Sequence, residues 1–132
     1  MQGYKTNIEK ETRGNEQFRK VLYTGRHSQL VLMSLLPQEE IGLETHPERD
    51  QFFRFEMGVG TVIIDGREII IGDGDVVIVP AGAKHNVINV SKTEVLKLYT
   101  IYSPPEHKDG AAHATKIEAQ TREEHFDGKT TE

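Results

Sequence analysis

Short apolar runs separated by turn residues dominate the middle of the chain, between about residues 29 and 102. The runs are rich in Val, Ile, Leu and Phe, and none of them sustains the 3.6-residue period of a helix. The pattern therefore predicts an all-β domain. The predicted strands are residues 29–36, 51–57, 61–64, 67–71, 75–79, 85–89 and 95–102.

Turn residues stand between these strands. Asp65-Gly66 separates two of the apolar runs, and an Asp-Gly pair between β-forming residues predicts a two-residue hairpin because both of its positions require positive φ. Glycine, proline and serine mark further turns at residues 72–74, 80–82 and 91–92. Short strands at such close spacing are typical of a sandwich or a barrel.

The two ends of the chain are more polar than the middle. We expect one domain over residues 1–132, with a barrel core from about 29 to 102, a polar N-terminal segment (1–28) and a polar C-terminal tail (103–132). The only predicted helix covers residues 115–124. Four histidines in these ends are expected to face solvent: His27, His107, His113 and His125.

The strand over residues 95–102 is nearly apolar on both faces and is interrupted only by Lys97. Such a strand needs a cover on its outer face as well as on its core face. Either a terminal segment or a second subunit supplies that cover. Because the polar ends are short, we expect a homodimer.

Composition narrows the functional classes. The 132 residues are 36% hydrophobic and 28% charged, which is typical of a soluble globular domain. Sixteen Lys and Arg against 21 Asp and Glu give a net charge of −5 without a basic cluster, so nucleic acid is not an expected partner. Neither a bilayer-spanning run nor a secretory signal is present, so we expect no membrane partner and a cytoplasmic location. Cysteine is absent, which excludes disulfides, thiolate ligands and a cysteine nucleophile.

One segment carries a spaced motif. Gly74, Pro80, Gly82, His85 and Asn89 follow the pattern G-x5-P-x-G-x2-H-x3-N. The glycines permit tight turns, the proline ends a strand, and the histidine opens the next strand, where its imidazole can point into a barrel mouth. The segment resembles the second conserved motif of the cupin superfamily, whose fold is a small antiparallel jelly-roll β-barrel.

The resemblance implies a first motif upstream: two histidines separated by one residue, an acid three or four residues later, and a glycine beyond it. Residues 44–58 match this arrangement with changes. Glu44 stands at the first histidine, His46 is the second, the acid position falls on Asp50 or Gln51, and Gly58 closes the motif.

Alternation chooses between the two candidates for the acid position. From residue 51 to 57 the odd positions carry a glutamine, two phenylalanines and a methionine, whereas the even positions are mainly charged. Since side chains alternate between the faces of a strand, Gln51 is predicted to point inward and Asp50 outward.

The resemblance then implies a metal site formed by Glu44, His46, Gln51 and His85. Two imidazoles, one carboxylate and one amide oxygen suit a divalent transition-metal ion such as Mn, Fe, Ni or Zn. The amide is the weakest of these ligands because it carries no charge. Glu44 is either a ligand or a general base, and we favour ligation.

Four further residues are candidates for substrate binding. Phe53 and Phe55 line either a pocket or the plain core, while Arg49 and Lys84 are cations near the predicted barrel mouth. Beyond the barrel, the tail from Tyr102 is similar to that of small bacterial cupins of the mannose-6-phosphate isomerase-like group. This tail forms either a lid over the mouth or a wrap on the surface.

Three functional hypotheses follow for a small-molecule substrate. The favoured one is a metal-dependent isomerase or epimerase that acts on a small polar molecule such as a sugar or sugar phosphate, with the ion as Lewis acid. The alternative is a non-haem metal dioxygenase, because two histidines and a carboxylate suit oxygen chemistry. The third is a non-catalytic binding module for a small molecule.

Overall fold

Two antiparallel sheets enclose a shared core in the computed structural model, which describes residues 1–132. The elements in chain order are α1 (Ile8–Gly14), β1 (Arg19–Thr24), β2 (Gln29–Leu35), β3 (Glu44–Thr45), β4 (Asp50–Met57), β5 (Gly60–Ile64), β6 (Arg67–Ile71), β7 (Val76–Val79), β8 (Lys84–Asn89), β9 (Leu96–Ser103), β10 (Ala112–His113) and α2 (Lys116–Thr121). The larger sheet has the order β10-β1-β2-β9-β4-β7, and the smaller sheet has the order β3-β8-β5-β6. This architecture confirms the predicted all-β jelly-roll class.

All seven predicted strands are present, and no boundary differs from its prediction by more than one residue. The hairpin between β5 and β6 is confirmed, with φ values of 47° at Asp65 and 82° at Gly66. No helix of the structure combines the length and the apolar character that a membrane span requires.

The core extends past the predicted 29–102 stretch at both ends. The strand β1 was not predicted; it pairs with β2 and β10 and adds the buried side chain of Val21. Phe18, Ala111 and Ala119 also join the apolar cluster. Two of the six residues of β1 are charged and a register shift after Val21 breaks the alternation, so the strand has no clear period of two in the sequence.

A short helix lies near each end of the chain. The first, α1, was not predicted, and its Asn7 side chain caps it by accepting a hydrogen bond from the Lys10 amide. The predicted tail helix is present as the shorter α2, which Thr115 caps in the same way. His27 and His125 face solvent as expected, whereas His107 is half-buried and His113 is buried, so the prediction is wrong for those two.

The predicted alternation in β4 holds for most of the strand. Gln51, Phe53 and Phe55 are buried and Asp50 is exposed. A register shift between Phe55 and Met57 interrupts the pairing with β9, and Met57 is only half-buried. The expectation that Met57 continues the inward face is therefore wrong, because a bulge changes the side-chain alternation where it occurs.

Candidate metal centre

Three of the four predicted ligands lie at one edge of the smaller sheet. Glu44 in β3 stands opposite His85 in β8, and His46 follows directly after β3. The turn that carries Gly82 is tied to this edge because the Gly82 amide donates to the His46 carbonyl at 2.9 Å. Gln51 reaches the same point from β4 in the larger sheet, so the site lies between the two sheets.

The potential ligand atoms converge. The donor atoms of Glu44, His46 and His85 all lie within 4.8 Å of one another. His46 Nε2 is 2.9 Å from Glu44 Oε2, and His85 Nε2 is 3.1 Å from Gln51 Oε1. Two ligands that bind one ion at right angles, each at about 2.1 Å, are about 3.0 Å apart. Hydrogen-bonded pairs have the same spacing, so the identity of the donor set, two imidazoles and a carboxylate, is what favours a transition-metal ion.

The tautomer of His85 directs a lone pair to this centre. Its Nδ1 lies 3.1 Å from the Ala83 carbonyl, which can only accept, so Nδ1 carries the proton. Nε2 of the neutral ring then faces Gln51 Oε1, while the Gln51 amide nitrogen donates to Thr100 Oγ1 at 3.0 Å. Two acceptors that face each other repel, and a cation bound between them removes this repulsion. A 180° flip of the Gln51 amide also removes it, because the amide nitrogen then donates to His85 Nε2. The argument for a metal therefore rests on the Glu44 carboxylate and the His46 imidazole.

Burial keeps His85 in its ligating form. Loss of solvent lowers the pKa of His85, and the Ala83 carbonyl and the Glu44 carboxylate offset only part of that effect. Because a metal ion binds neutral imidazole, the lowered pKa reduces competition from protons in mildly acidic solution.

The C-terminal tail adds side chains that the sequence analysis did not assign to the site. Glu106 Oε2 lies 3.7 Å from His46 Nδ1 and pairs with Arg49 Nε at 2.9 Å. His107 Nε2 lies 3.2 Å from the Tyr102 hydroxyl. Burial, reinforced by the Arg19 charge and by neighbouring histidines, lowers the pKa of His107 to about 2, so its ring is neutral.

A small cavity opens beside the converging ligands, with a volume of about 80 Å³. None of its lining side chains is hydrophobic. They are Arg19, Glu44, His46, Glu106, His107, Glu123, Glu124 and His125. Neither Arg19 nor Glu123 and Glu124 belongs to a motif, and only the fold brings them to the mouth.

The four residues predicted to bind substrate lie in different surroundings. Phe53 and Phe55 are fully buried in the core, and the Phe53 ring centre is 6.2 Å from that of His85. Arg49 reaches the rim of the site through its pair with Glu106. Lys84 is exposed and precedes His85 on β8, so its side chain leaves the opposite face of the strand.

The jelly-roll fold and the histidine-carboxylate centre together are those of a cupin. The family model described as "Cupin domain" matches residues 31–102, and the chain belongs to that family.

Relatives cover most of the chain. It is 45% identical over 124 residues to the uncharacterized protein YrkC of Bacillus subtilis, covering 89% of this chain and 66% of YrkC. It is 43% identical to the uncharacterized protein L612 of Acanthamoeba polyphaga mimivirus, covering 83% of this chain and 70% of L612. The chain therefore spans about two thirds of the length of these two relatives. The crystal structure of BH2720 from Bacillus halodurans is similar at 42% identity and a TM-score of 0.87, covering 92% of this chain and 96% of that one.

Proposed function

We propose that the protein is a metal-dependent enzyme that acts on a small polar molecule at the mouth of the barrel. The observation that carries the proposal is the convergence of Glu44, His46 and His85 within 4.8 Å beside a cavity without a hydrophobic lining residue. Gln51 completes the ligand set or hydrogen-bonds a ligand of the ion.

The favoured reaction is an isomerisation or epimerisation of a sugar, a sugar phosphate or a similar compound. An ion held by these residues would polarise a carbonyl oxygen of the substrate. A base beside the ion must then remove a proton from a carbon next to the carbonyl; the proton returns to the neighbouring carbon in an isomerisation and to the opposite face of the same carbon in an epimerisation. Among the cavity carboxylates outside the ligand set, Glu106 is the least exposed, at 16% against 30% for Glu124 and 68% for Glu123. We therefore assign the proton transfer to Glu106.

The second candidate is a dioxygenase. It is favoured by the composition of the ligand set, because Glu44, His46 and His85 supply two imidazoles and one carboxylate, the set typical of non-haem iron oxygenases. A binding module without catalysis is the third outcome of the experiments below.

The metal proposal is tested with the full chain purified without added metal. Elemental analysis and titration with Mn, Fe, Ni and Zn are expected to show one ion per chain. The variants H46A and H85A are expected to lose about 100-fold or more in affinity, whereas Q51A is expected to lose about tenfold or less. H27A removes an exposed histidine and is the matched control. Unchanged affinity in both H46A and H85A overturns the site.

The reaction class is tested with the metal-loaded protein. In deuterium oxide, a proton-transfer enzyme exchanges a carbon-bound proton of its substrate, and nuclear magnetic resonance detects this exchange across a panel of sugars and sugar phosphates. The E106Q variant is expected to lose exchange while it keeps its metal. Oxygen consumption by the iron-loaded protein supports the dioxygenase instead. Tight binding without either reaction supports the binding module.

A further inference from the structure

Arg19 is a buried cation without a partner. It begins β1 opposite Met33 and His113, and only 9% of its surface is exposed. Its Nε is buried without a hydrogen bond, and no carboxylate oxygen lies within 4.0 Å of its guanidinium. Its Cζ lies 5.4 Å from the centre of the Phe18 ring.

A buried Nε without an acceptor is costly for a charged group. Transfer of a charge out of water is unfavourable unless hydrogen bonds or an opposite charge compensate it. Arginine offers five donors in a planar fork and stays protonated at all ordinary pH values. The fold therefore holds a largely buried positive group whose donors bind no acceptor of the protein.

The position of Arg19 connects this charge to the metal centre. It lines the cavity of about 80 Å³ together with Glu44 and His46, and it also lines a neighbouring recess of about 270 Å³ that Glu44 borders as well. Arg19 thus lines both spaces beside the ligand set.

None of the carboxylates of the cavity forms an ion pair with Arg19. Glu106 pairs with Arg49 at 2.9 Å, and Glu44 belongs to the ligand set of the ion. Glu124 lies 3.4 Å from His113 and 3.9 Å from Arg122, while Glu123 points largely to solvent beside His125. With an ion bound, the cavity would present two positive centres, the ion and Arg19.

We propose that Arg19 binds the oxyanion group of the substrate, a carboxylate or a phosphate, while a neighbouring oxygen of the same molecule faces the metal. This inference rests on the proposed function and specifies its substrate class as small anionic compounds. The planar fork of arginine matches two oxygens of such a group. The cavity of about 80 Å³ has no hydrophobic lining residue, so it suits the charged end of a small anionic molecule.

The test measures anion binding by the cobalt-loaded full chain through its visible spectrum. The probes are glycolate, its neutral analogue glycolamide, and inorganic phosphate. The wild-type protein is expected to bind glycolate or phosphate about tenfold or more tightly than glycolamide. The R19Q variant is expected to lose that preference and R19K to keep part of it. R26Q removes an exposed arginine and is the control. The anion that loses affinity in R19Q identifies carboxylate or phosphate as the ligand.

Two results overturn the inference: equal wild-type affinity for the anions and glycolamide, or an unchanged preference in R19Q. Urea denaturation distinguishes a structural role, because a purely structural Arg19 predicts a lower urea midpoint in R19Q. We expect an equal or higher midpoint, since no pair is broken.

Metal content is measured on the same samples. If the wild-type protein binds no metal, the proposed function is rejected. Anion binding to the metal-free protein, measured by thermal shift with the same probes, then tests the inference about Arg19 separately.

Discussion

At the scale of single residues, His107 shows how the tail contributes to the interior. The backbone amides of Glu106 and His107 donate to Gln29 Oε1, and Gln29 Nε2 donates to the His107 carbonyl. Gln29 itself is 1% exposed. A buried side chain from β2 thereby fixes the tail over the mouth, and it brings Glu106 and His107 to the cavity beside His46.

The lowered pKa of His107 predicts a pH dependence of stability. The folded pKa is about 2, whereas the unfolded chain has the ordinary value of about 6.5. As the pH falls, the unfolded state binds the proton first. The contribution of neutral His107 is therefore complete above about pH 6.5 and is lost as the pH falls toward the folded pKa.

The H107Q variant isolates this effect. In chelator-treated protein, the wild-type free energy of unfolding minus that of H107Q is expected to fall by up to about 1.4 kcal/mol per pH unit between about pH 6 and 4. Urea denaturation at several pH values measures the difference. H27A is the control and should give a pH curve parallel to the wild type. A constant difference for H107Q would show that His107 protonates equally in both states.

At the scale of elements, β5 begins where two backbones approach closely. A Cβ built on Gly60 would lie 2.7 Å from the Ile88 carbonyl oxygen and 3.0 Å from Leu96 Cδ2. The carbonyl belongs to the paired strand β8 and cannot move without loss of ladder hydrogen bonds. This position therefore admits only glycine, which lets the smaller sheet approach β9.

The G60A variant tests that packing. We expect it to lower the free energy of unfolding by about 1–3 kcal/mol because the added methyl group overpacks the site. G14A is the control, because a Cβ on Gly14 meets no atom within 4 Å at the end of α1. Its expected effect is neutral or stabilising by up to about 1 kcal/mol. Equal urea midpoints for G60A and wild type would contradict the close approach.

At the scale of the whole molecule, the larger sheet has an outer apolar row. Register places Leu30, Ile101, Phe52 and Ile78 side by side across β2, β9, β4 and β7. Ile78 is 61% exposed. The N-terminal helix covers a different part of this face, where Lys97 Nζ donates to the Arg13 carbonyl at 2.8 Å. The helix α1 therefore covers one end of β9, the strand that is apolar on both faces.

The homodimer remains a prediction, and we expect the apolar row to meet its copy across a two-fold axis. Sedimentation velocity at micromolar concentration should show about twice the chain mass for the wild type and one chain mass for I78D. I70D is the control, since Ile70 is 86% exposed on β6 of the smaller sheet. Monomeric wild type, or dimeric I78D, would contradict an interface at this row.

Alternation and turn chemistry made most of the barrel predictable. The hydrophobic period of two and the Asp65-Gly66 turn are local signals, and the strands that they predict are present within one residue of the expected bounds. The same local signals predict that Gln51 points inward, and its contacts with His85 and Thr100 agree with that prediction.

Only the part of the candidate site that lies in a sequence motif could be predicted. Glu44, His46, Gln51 and His85 were assigned by resemblance and alternation, and the structure brings their donor atoms together. The remaining cavity residues have no motif, because polar segments of similar composition form both solvent-exposed loops and covers over a barrel mouth.

What the sequence alone determined was the set of short strands, their turns and the motif residues, since each depends on neighbours in the chain. What only the tertiary structure decided was the place of the ends. Arg19 lies in a strand paired with His113, a partner 94 residues away (113 − 19). Such pairing depends on the register of a whole sheet and on buried polar anchors such as Gln29, and these long-range contacts leave no periodic signal in the local sequence.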